Sequence, residues 1–244
     1  MTVGNNLAPV TAAPNDLPSE LPTGQAKVTA VRSMFDAIAP RYDMVNRIMT
    51  FGLDIRWRRK SVKGLALPTG SSVIDLASGT GDFCKELTRQ GLAPLSFDLS
   101  YGMLAADHSG SPRAQADILR LPLPAASCHG ATCGFALRNL ESLPPFFAEL
   151  HRVVRPGGRI ALLDVAQPSN RLLKWGHGLY FGKIVPKIGG WLSDPAAYKY
   201  LPKSVAYMPT PEVLLQQIRD AGFINVERLL LPLGAAHLIT ATRP

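Results

Sequence analysis

A short apolar run that stops in two glycines, Val73-Ile74-Asp75-Leu76-Ala77-Ser78-Gly79-Thr80-Gly81-Asp82, constrains this chain more than any other stretch. Val73 and Ile74 are β-branched and sit in a mostly apolar run, which reads as a buried strand. Gly79 and Gly81 bracket Thr80, and a helix-like stretch headed by Asp82 follows. A strand that ends in glycines lets backbone come close to a ligand at the carboxyl edge of a sheet. The next strand-like run, Pro94 to Asp98, ends in an acid seventeen residues after Gly81. Nucleotide-binding α/β folds put the carboxylate that takes ribose hydroxyls at such a position. A lone Gly-x-Gly is an ordinary tight turn; with the spaced acid it points to an adenosine-type cofactor.

The rest of the chain fits around that unit. Residues 1–26 carry prolines at 9, 14, 18 and 22 and no aromatic residue, and are expected to be a disordered tail. Residues 27–244 are expected to form one domain. From Val28 to about Leu67, Phe35, Ile38, Tyr42, Val45, Ile48 and Met49 recur at helical steps, interrupted at Pro40. A second helix over about Ile55 to Leu65 would show a basic face of Arg56, Arg58, Arg59, Lys60 and Lys63 around Trp57. By pattern alone, Tyr42 and Asp43 would be surface residues of this helical lead-in, 27–67. After the glycine turn come a helix over about 82–90, the strand to Asp98, and a short helix with Met103 and Leu104. A third strand should end in Ala114-Gln115-Ala116-Asp117-Ile118, where Asp117 alone reads as a turn residue. A fourth strand covers 129–135 and leads into Phe135-Ala136-Leu137-Arg138-Asn139. Pro156-Gly157-Gly158 should end the following helix before a fifth strand, Arg159 to Val165. Residues 168–208 break the rhythm with Trp175, Tyr180, Phe181, Trp191, Tyr198, Tyr200 and Tyr207, as an aromatic lid would. A helix over about 211–221 and two strands, Ile224 to Leu231 and Ala235 to Thr242, close the chain. The alternation gives an α/β, doubly wound sheet.

Charge and cysteines narrow the class. The net charge of +8 is concentrated: residues 32–63 hold eight basic and three acidic side chains, and residues 171–203 hold six and one. Two basic segments on an otherwise balanced chain suggest an anionic partner surface. No apolar run approaches the length of a membrane span, and the start has no basic residue before Lys27. Cys84, Cys128 and Cys133 suit buried thiols in a reducing cytosol. Cys128 and Cys133 lack a second ligand pair, so no metal site is expected.

The residues resemble a known family from about Val31 to Thr240. The carrying segments are Phe35-Asp36-x-Ile38-Ala39-Pro40-x-Tyr42-Asp43-x-x-Asn46 with Gly52-Leu53-Asp54-x-x-Trp57, then the Asp75-to-Asp82 loop. Phe135-x-Leu137-Arg138-Asn139, Arg152-Val153-Val154-Arg155-Pro156-Gly157-Gly158 and Ala197-Tyr198-x-Tyr200-Leu201-Pro202 complete them. They are similar to the S-adenosylmethionine-dependent C-methyltransferases of ubiquinone and menaquinone biosynthesis. That resemblance implies a Rossmann-like, seven-stranded class I methyltransferase sheet with an N-terminal helical lead-in and a helical lid.

By resemblance, the methionine end of S-adenosylmethionine lies over Ala77, Gly79 and Thr80, with Gly81 completing the loop. The ribose falls on Asp98, and Asp117 and Ile118 flank the adenine. Gly134 stands where the family often has a serine touching the cofactor, so that side-chain contact is lost. Asp164-Val165-Ala166 replaces the usual Glu-x-Ser. The implied reaction methylates a ring carbon of a polyprenyl quinol. Arg138 would stabilise the phenolate or orient a water, while Tyr42 and Asn139 position the ring. His177 and His237 are further proton acceptors to test. The expected location is cytoplasmic, peripheral at the inner face of the cell membrane, with a second copy or a quinone-biosynthesis complex as protein partner. Rival readings are an RNA or other small-molecule methyltransferase, against which stands the lack of a nucleic-acid module, and a non-catalytic cofactor-binding subunit.

Overall fold

The computed structural model describes residues 23–166 and 204–244. The segment 168–203, with His177 and six of the seven aromatics assigned to the lid, lies outside them, as does the tail to residue 22.

The chain opens with α1 (Gly24–Ile38), a 3-10 turn at Ala39–Arg41, α2 (Tyr42–Thr50) and α3 (Leu53–Leu65). Helix therefore begins at Gly24, inside the stretch expected to be tail. Pro40 sets the break after α1 because it cannot donate to the preceding turn. Phe51 and Gly52, both left-handed with φ of 52° and 71°, turn the chain between α2 and α3. The Phe51 N–H caps the Arg47 and Ile48 carbonyls.

Seven strands follow: β1 (Ser72–Leu76), β2 (Ala93–Asp98), β3 (Arg113–Gln115), β4 (Cys128–Gly134), β5 (Val154–Val165), β6 (Ile224–Leu230) and β7 (Ala236–Thr242). The sheet order is β3-β2-β1-β4-β5-β7-β6. The first five strands run parallel, and β7 runs antiparallel to both neighbours. The order reverses beside β1, so β1 and β4 diverge at the switch point where such sheets open a cleft. Helices α4 (Asp82–Arg89), α5 (Tyr101–Ala105), α6 (Leu143–Val153) and α7 (Pro211–Asp220), with 3-10 turns at Leu137–Asn139, Val205–Tyr207 and Pro232–Gly234, complete the described elements.

Strand alternation fills two core layers. Ile74, Leu76, Ile160 and Leu162 pack with Phe146, Phe147 and Leu150 of α6 and with Leu214 and Ile218 of α7. Val73, Ala161 and Leu163 point to the opposite face, against Trp57, Val62 and Leu65 of α3 and Phe83 and Leu87 of α4. Each fully buried large side chain contributes about 1.5–3 kcal/mol. A smaller cluster, Ile38, Val45, Met49 and Met103, seats α1 and α2 on α5. The three cysteines are free and buried.

Three local expectations need correction. Pro156-Gly157-Gly158 does not end the helix; α6 stops at Val153 and the three residues lie within β5. Gly157 takes φ 76° there, and the pairing with β4 slips between Cys128 and Gly130, so the glycines serve a bulge. Strand β3 stops at Gln115 because the Asp117 carboxylate accepts from the Leu119 N–H and turns the chain. The basic face of α3 is divided: Arg56, Arg59, Lys60 and Lys63 face outward, whereas Arg58 is buried.

Candidate active site

A cavity of about 580 Å³ opens at the carboxyl edges of β1, β2 and β4. Its floor is the loop after β1. Ala77, Gly79 and Gly81 all take left-handed backbone, at φ 51°, 57° and 86°. A methyl added at Gly79 would lie 3.9 Å from the Tyr42 ring and 4.0 Å from the Met103 sulfur. Those are ordinary contact distances, so the left-handed backbone rather than crowding asks for glycine at this position.

Asp98, at the tip of β2, accepts from the Gly79 N–H at 2.8 Å and from the Ser100 N–H at 2.8 Å. Burial pushes its carboxyl above the ordinary value, against those two donors. Asp117, Ile118 and Gly134 also line the cavity, as do Tyr42 and Asn139. Burial likewise raises the Tyr42 phenol, with Asn46 hydrogen-bonded to it. Helix α1 supplies the remaining wall through Val28, Arg32 and Phe35.

The other sequence-derived residues stand behind these walls. The Thr80 hydroxyl donates to Asp43, whose second oxygen lies 2.9 Å from His108 Nε2. Gly81 faces Asp107, whose carboxylate a Cβ would meet at 2.6 Å. Arg138 is 6% exposed. Its Nη1 donates to Asp164 at 2.5 Å and its Nε to the Ser204 hydroxyl at 3.1 Å. His237 is buried, and desolvation, with Arg228 alongside, lowers it to about 4. Arg228 Nε donates to its Nδ1 at 3.0 Å, so the ring is held neutral.

A family model described as the ubiE/COQ5 methyltransferase family matches residues 23–243. The chain belongs to that family. It is 40% identical over 235 residues to a protein of Roseiflexus sp. named demethylmenaquinone methyltransferase, covering 91% of this chain and 97% of that one. A Geobacter sulfurreducens protein named ubiquinone/menaquinone biosynthesis C-methyltransferase is 36% identical over 225 residues, covering 87% and 88%. An S-adenosylmethionine-dependent methyltransferase structure from Thermotoga maritima superposes with a TM-score of 0.62 at 18% identity, over 87% of this chain and 99% of that one. That last likeness speaks for the fold alone. As a ubiE/COQ5 family member, the chain is a methyltransferase that takes its methyl group from S-adenosylmethionine.

The cavity fits such a cofactor on its own chemistry. Its volume lies in the range of small-molecule sites. The Asp98 carboxylate offers about four acceptor positions; Gly79 and Ser100 occupy two. Acceptor capacity remains for ribose hydroxyls. At Gly134 a Cβ would lie 2.5 Å from the Phe83 ring. The family's serine therefore has no room here, and Phe83 fills its place.

Sequence reasoning missed the residues that assemble these walls. Asp36 of α1 accepts from the Ser100 hydroxyl at 2.6 Å and from the Gly102 N–H at 2.8 Å, docking α1 beside Asp98. Asp54 accepts from Arg47 and from Arg58, the latter at 2.5 Å, while Arg47 also reaches both Asp82 oxygens at 2.8 Å. This network ties α2 and α3 to the first residue of α4. Burial would raise Asp82, but Arg58 and Arg47 hold it below the usual carboxylate value. Lys27 donates to the Leu140 carbonyl at 2.6 Å and lies 3.7 Å over the Tyr207 ring. Desolvation lowers it to about 8, against the pull of Glu141. Asp36 and Asp54 fall in quoted motifs, which was the available signal; Lys27 carried none.

Proposed function

We propose that this chain methylates a ring carbon of a polyprenylated quinol, converting demethylmenaquinol to menaquinol. One observation carries the reading: the Asp98 carboxylate, the Tyr42 phenol and the Asn139 side chain share a single cavity. The names of the relatives supply the acceptor class. S-adenosylmethionine, when bound, brings a methyl on a sulfonium that is already a good leaving group. The protein's task is then mainly placement and activation of the acceptor carbon, whose own hydrogen must leave as a proton, to the hydroxyl oxygen or to water, once that carbon carries the methyl.

A quinol hydroxyl, like tyrosine, titrates near 10, so the site must favour its ionised form. Arg138 provides that bias as a positive charge in the turn that also carries Asn139. Its Nη1 and Nε are engaged by Asp164 and Ser204; among the described residues Nη2 has no hydrogen-bond partner, and from behind the cavity wall we assign it to a phenolate or to the water that removes its proton. Tyr42, with its proton held by burial, donates to the acceptor oxygen, and Asn139 orients the ring. The walls from α1 and α2 keep bulk water away. Ubiquinone precursors are the second reading, favoured by the double name of the Geobacter sulfurreducens relative.

A polyprenyl tail keeps its owner in the bilayer. We therefore place the enzyme on the cytoplasmic side, at the inner face of the cell membrane, through reversible, salt-sensitive contact of its basic segments. No helix among the described residues is long and apolar enough to cross a membrane.

Incubation of the purified chain with methyl-labelled S-adenosylmethionine and membrane extracts tests this directly. Label should appear in quinone; label in RNA, or in neither, overturns it. Arg138→Ala should lower turnover by roughly a hundredfold with calorimetric cofactor affinity little changed. Unchanged turnover removes Arg138 from the mechanism.

A further inference from the structure

Four of the exposed large apolar side chains fall within twelve residues: Met44 at 46%, Ile48 at 41%, Phe51 at 79% and Ile55 at 39%. Met44 and Ile48 are one turn apart on α2, Phe51 is the tip between helices, and Ile55 sits in the first turn of α3. Phe51 occupies left-handed backbone at φ 52°. Both that conformation and its exposure favour glycine or asparagine, yet an aromatic is carried outward there.

The exposed charges of residues 41–63 have one sign, with Arg59 lying 3.5 Å from Glu86, an acid of another helix. Arg41, Arg56, Arg59, Lys60 and Lys63 are exposed. The acids of the same stretch turn inward: Asp54 is 1% exposed and held by Arg47 and Arg58, and Asp43 is held by Thr80 and His108. Beside Ile55 lies a cleft of about 120 Å³, bordered by Arg47, Lys85 and Arg89 as well as by Asp82 and Glu86. An apolar tip with outward cations on the helices to either side of it matches an anionic bilayer, whose acyl edge takes the ridge and whose phosphates take the cations. A second copy would bring like charge against like charge, and segment 171–203 carries the same sign.

We propose that the α2–α3 corner, with Phe51 at its tip, is the face by which this enzyme docks on anionic phospholipid membrane. The proposal rests on the reading of a membrane-borne acceptor and names the surface that reaches it. Helix α2 carries Tyr42 of the cavity in its first turn and spans nine residues, about 13 Å. Docking there holds the cavity within one short helix of the headgroups.

The test is co-sedimentation of the full chain with phosphatidylglycerol–phosphatidylcholine vesicles. Phe51→Asp with Ile48→Asp, two exposed positions, should weaken binding by roughly tenfold or more. Lys60→Glu with Lys63→Glu should weaken it by roughly a hundredfold at low salt. Vesicles of phosphatidylcholine alone should bind poorly. Methyl transfer to a short-tailed, water-soluble quinol should be unchanged in all variants, and transfer to vesicle-embedded quinol should fall with binding. Vesicle binding unaltered in both double variants overturns the proposal, as does a wild-type dimer that these substitutions dissolve or covering of the ridge by residues 1–22. If the wild type transfers to soluble quinol yet ignores vesicles, the surface fails and the methyltransferase reading stands. If it modifies no quinol while binding vesicles through this face, the reverse holds.

Discussion

Replacing Asp164 by asparagine isolates the contact on which the placement of Arg138 depends. The carboxylate is fully buried and accepts three hydrogen bonds: from Arg138 Nη1 at 2.5 Å, from the Leu137 N–H at 2.8 Å and from the Val165 N–H at 2.7 Å. Asparagine has one oxygen where aspartate has two. Its amide nitrogen must face either Leu137 or the Arg138–Val165 pair, setting donor against donor. The Arg138 charge also loses its counter-ion inside the protein. Removing one partner of such a buried pair costs about 3–5 kcal/mol. For a chain of this size that lowers the midpoint of thermal unfolding by about 6–20 °C. Urea unfolding should show a lower midpoint at unchanged slope, because the surface exposed on unfolding is the same. Turnover should fall with it, whereas cofactor affinity should not, since Asp98 and Gly79 make no contact with this pair. Ser204→Ala removes the Nε partner and should cost about 1 kcal/mol for that contact. An Asp164→Asn protein within about 0.5 kcal/mol of wild type would refute the claim that this carboxylate fixes Arg138.

Other substitutions probe the walls. Burial lifts the Asp75 carboxyl from 3.8 to about 7, opposed by Thr132, Arg58 and Cys84. Between those values the folded chain holds a proton that the unfolded chain has lost, so this group makes stability fall as pH rises from about 4 to 7. Asp75→Asn should therefore gain on wild type across that window, by up to about 4 kcal/mol above it; parallel melting profiles at low and high pH would contradict this. At Gly102 a methyl would lie 2.9 Å from the Asp36 Cα, so Gly102→Ala should lift α1 off the cavity and weaken S-adenosylmethionine binding by calorimetry. Gly134→Ser should destabilise by about 1–3 kcal/mol through the Phe83 ring. The added substitution Phe83→Leu should recover much of that loss, and an additive pair would count against the steric account.

What could be read from the sequence were the features that local pattern dictates. The β1 run, its glycine turn, the acid at the end of β2 and the alternation of strands and helices depend on neighbours within a few residues. The contacts that build the candidate site do not. Asp164 meets Arg138 across 26 positions, and Lys27 reaches the Leu140 carbonyl across 113. Periodicity cannot announce such partners. The proline-glycine-glycine segment carried the composition of a helix stop, but β5 had already begun, and the same backbone freedom became a bulge. Asp117 carried both signals at once, a turn residue and a cavity residue, and it is both.

Charge shows most sharply where sequence reading ends. Eight basic residues in 32–63 can be counted, but a count has no direction. Arg58 shares its stretch with Arg56, Arg59 and Lys60, yet Asp54 one turn before it and Asp82 on another helix draw it inward. Arg47 is drawn the same way. These two cations fasten the helical lead-in to the helix that follows the glycine loop after β1. Of their outward neighbours, Arg59 lies 3.5 Å from Glu86, while Arg56, Lys60 and Lys63 are exposed. One basic segment thus does two kinds of work, and the positions of Asp54 and of Asp82, an acid outside the segment, decide which residue does which.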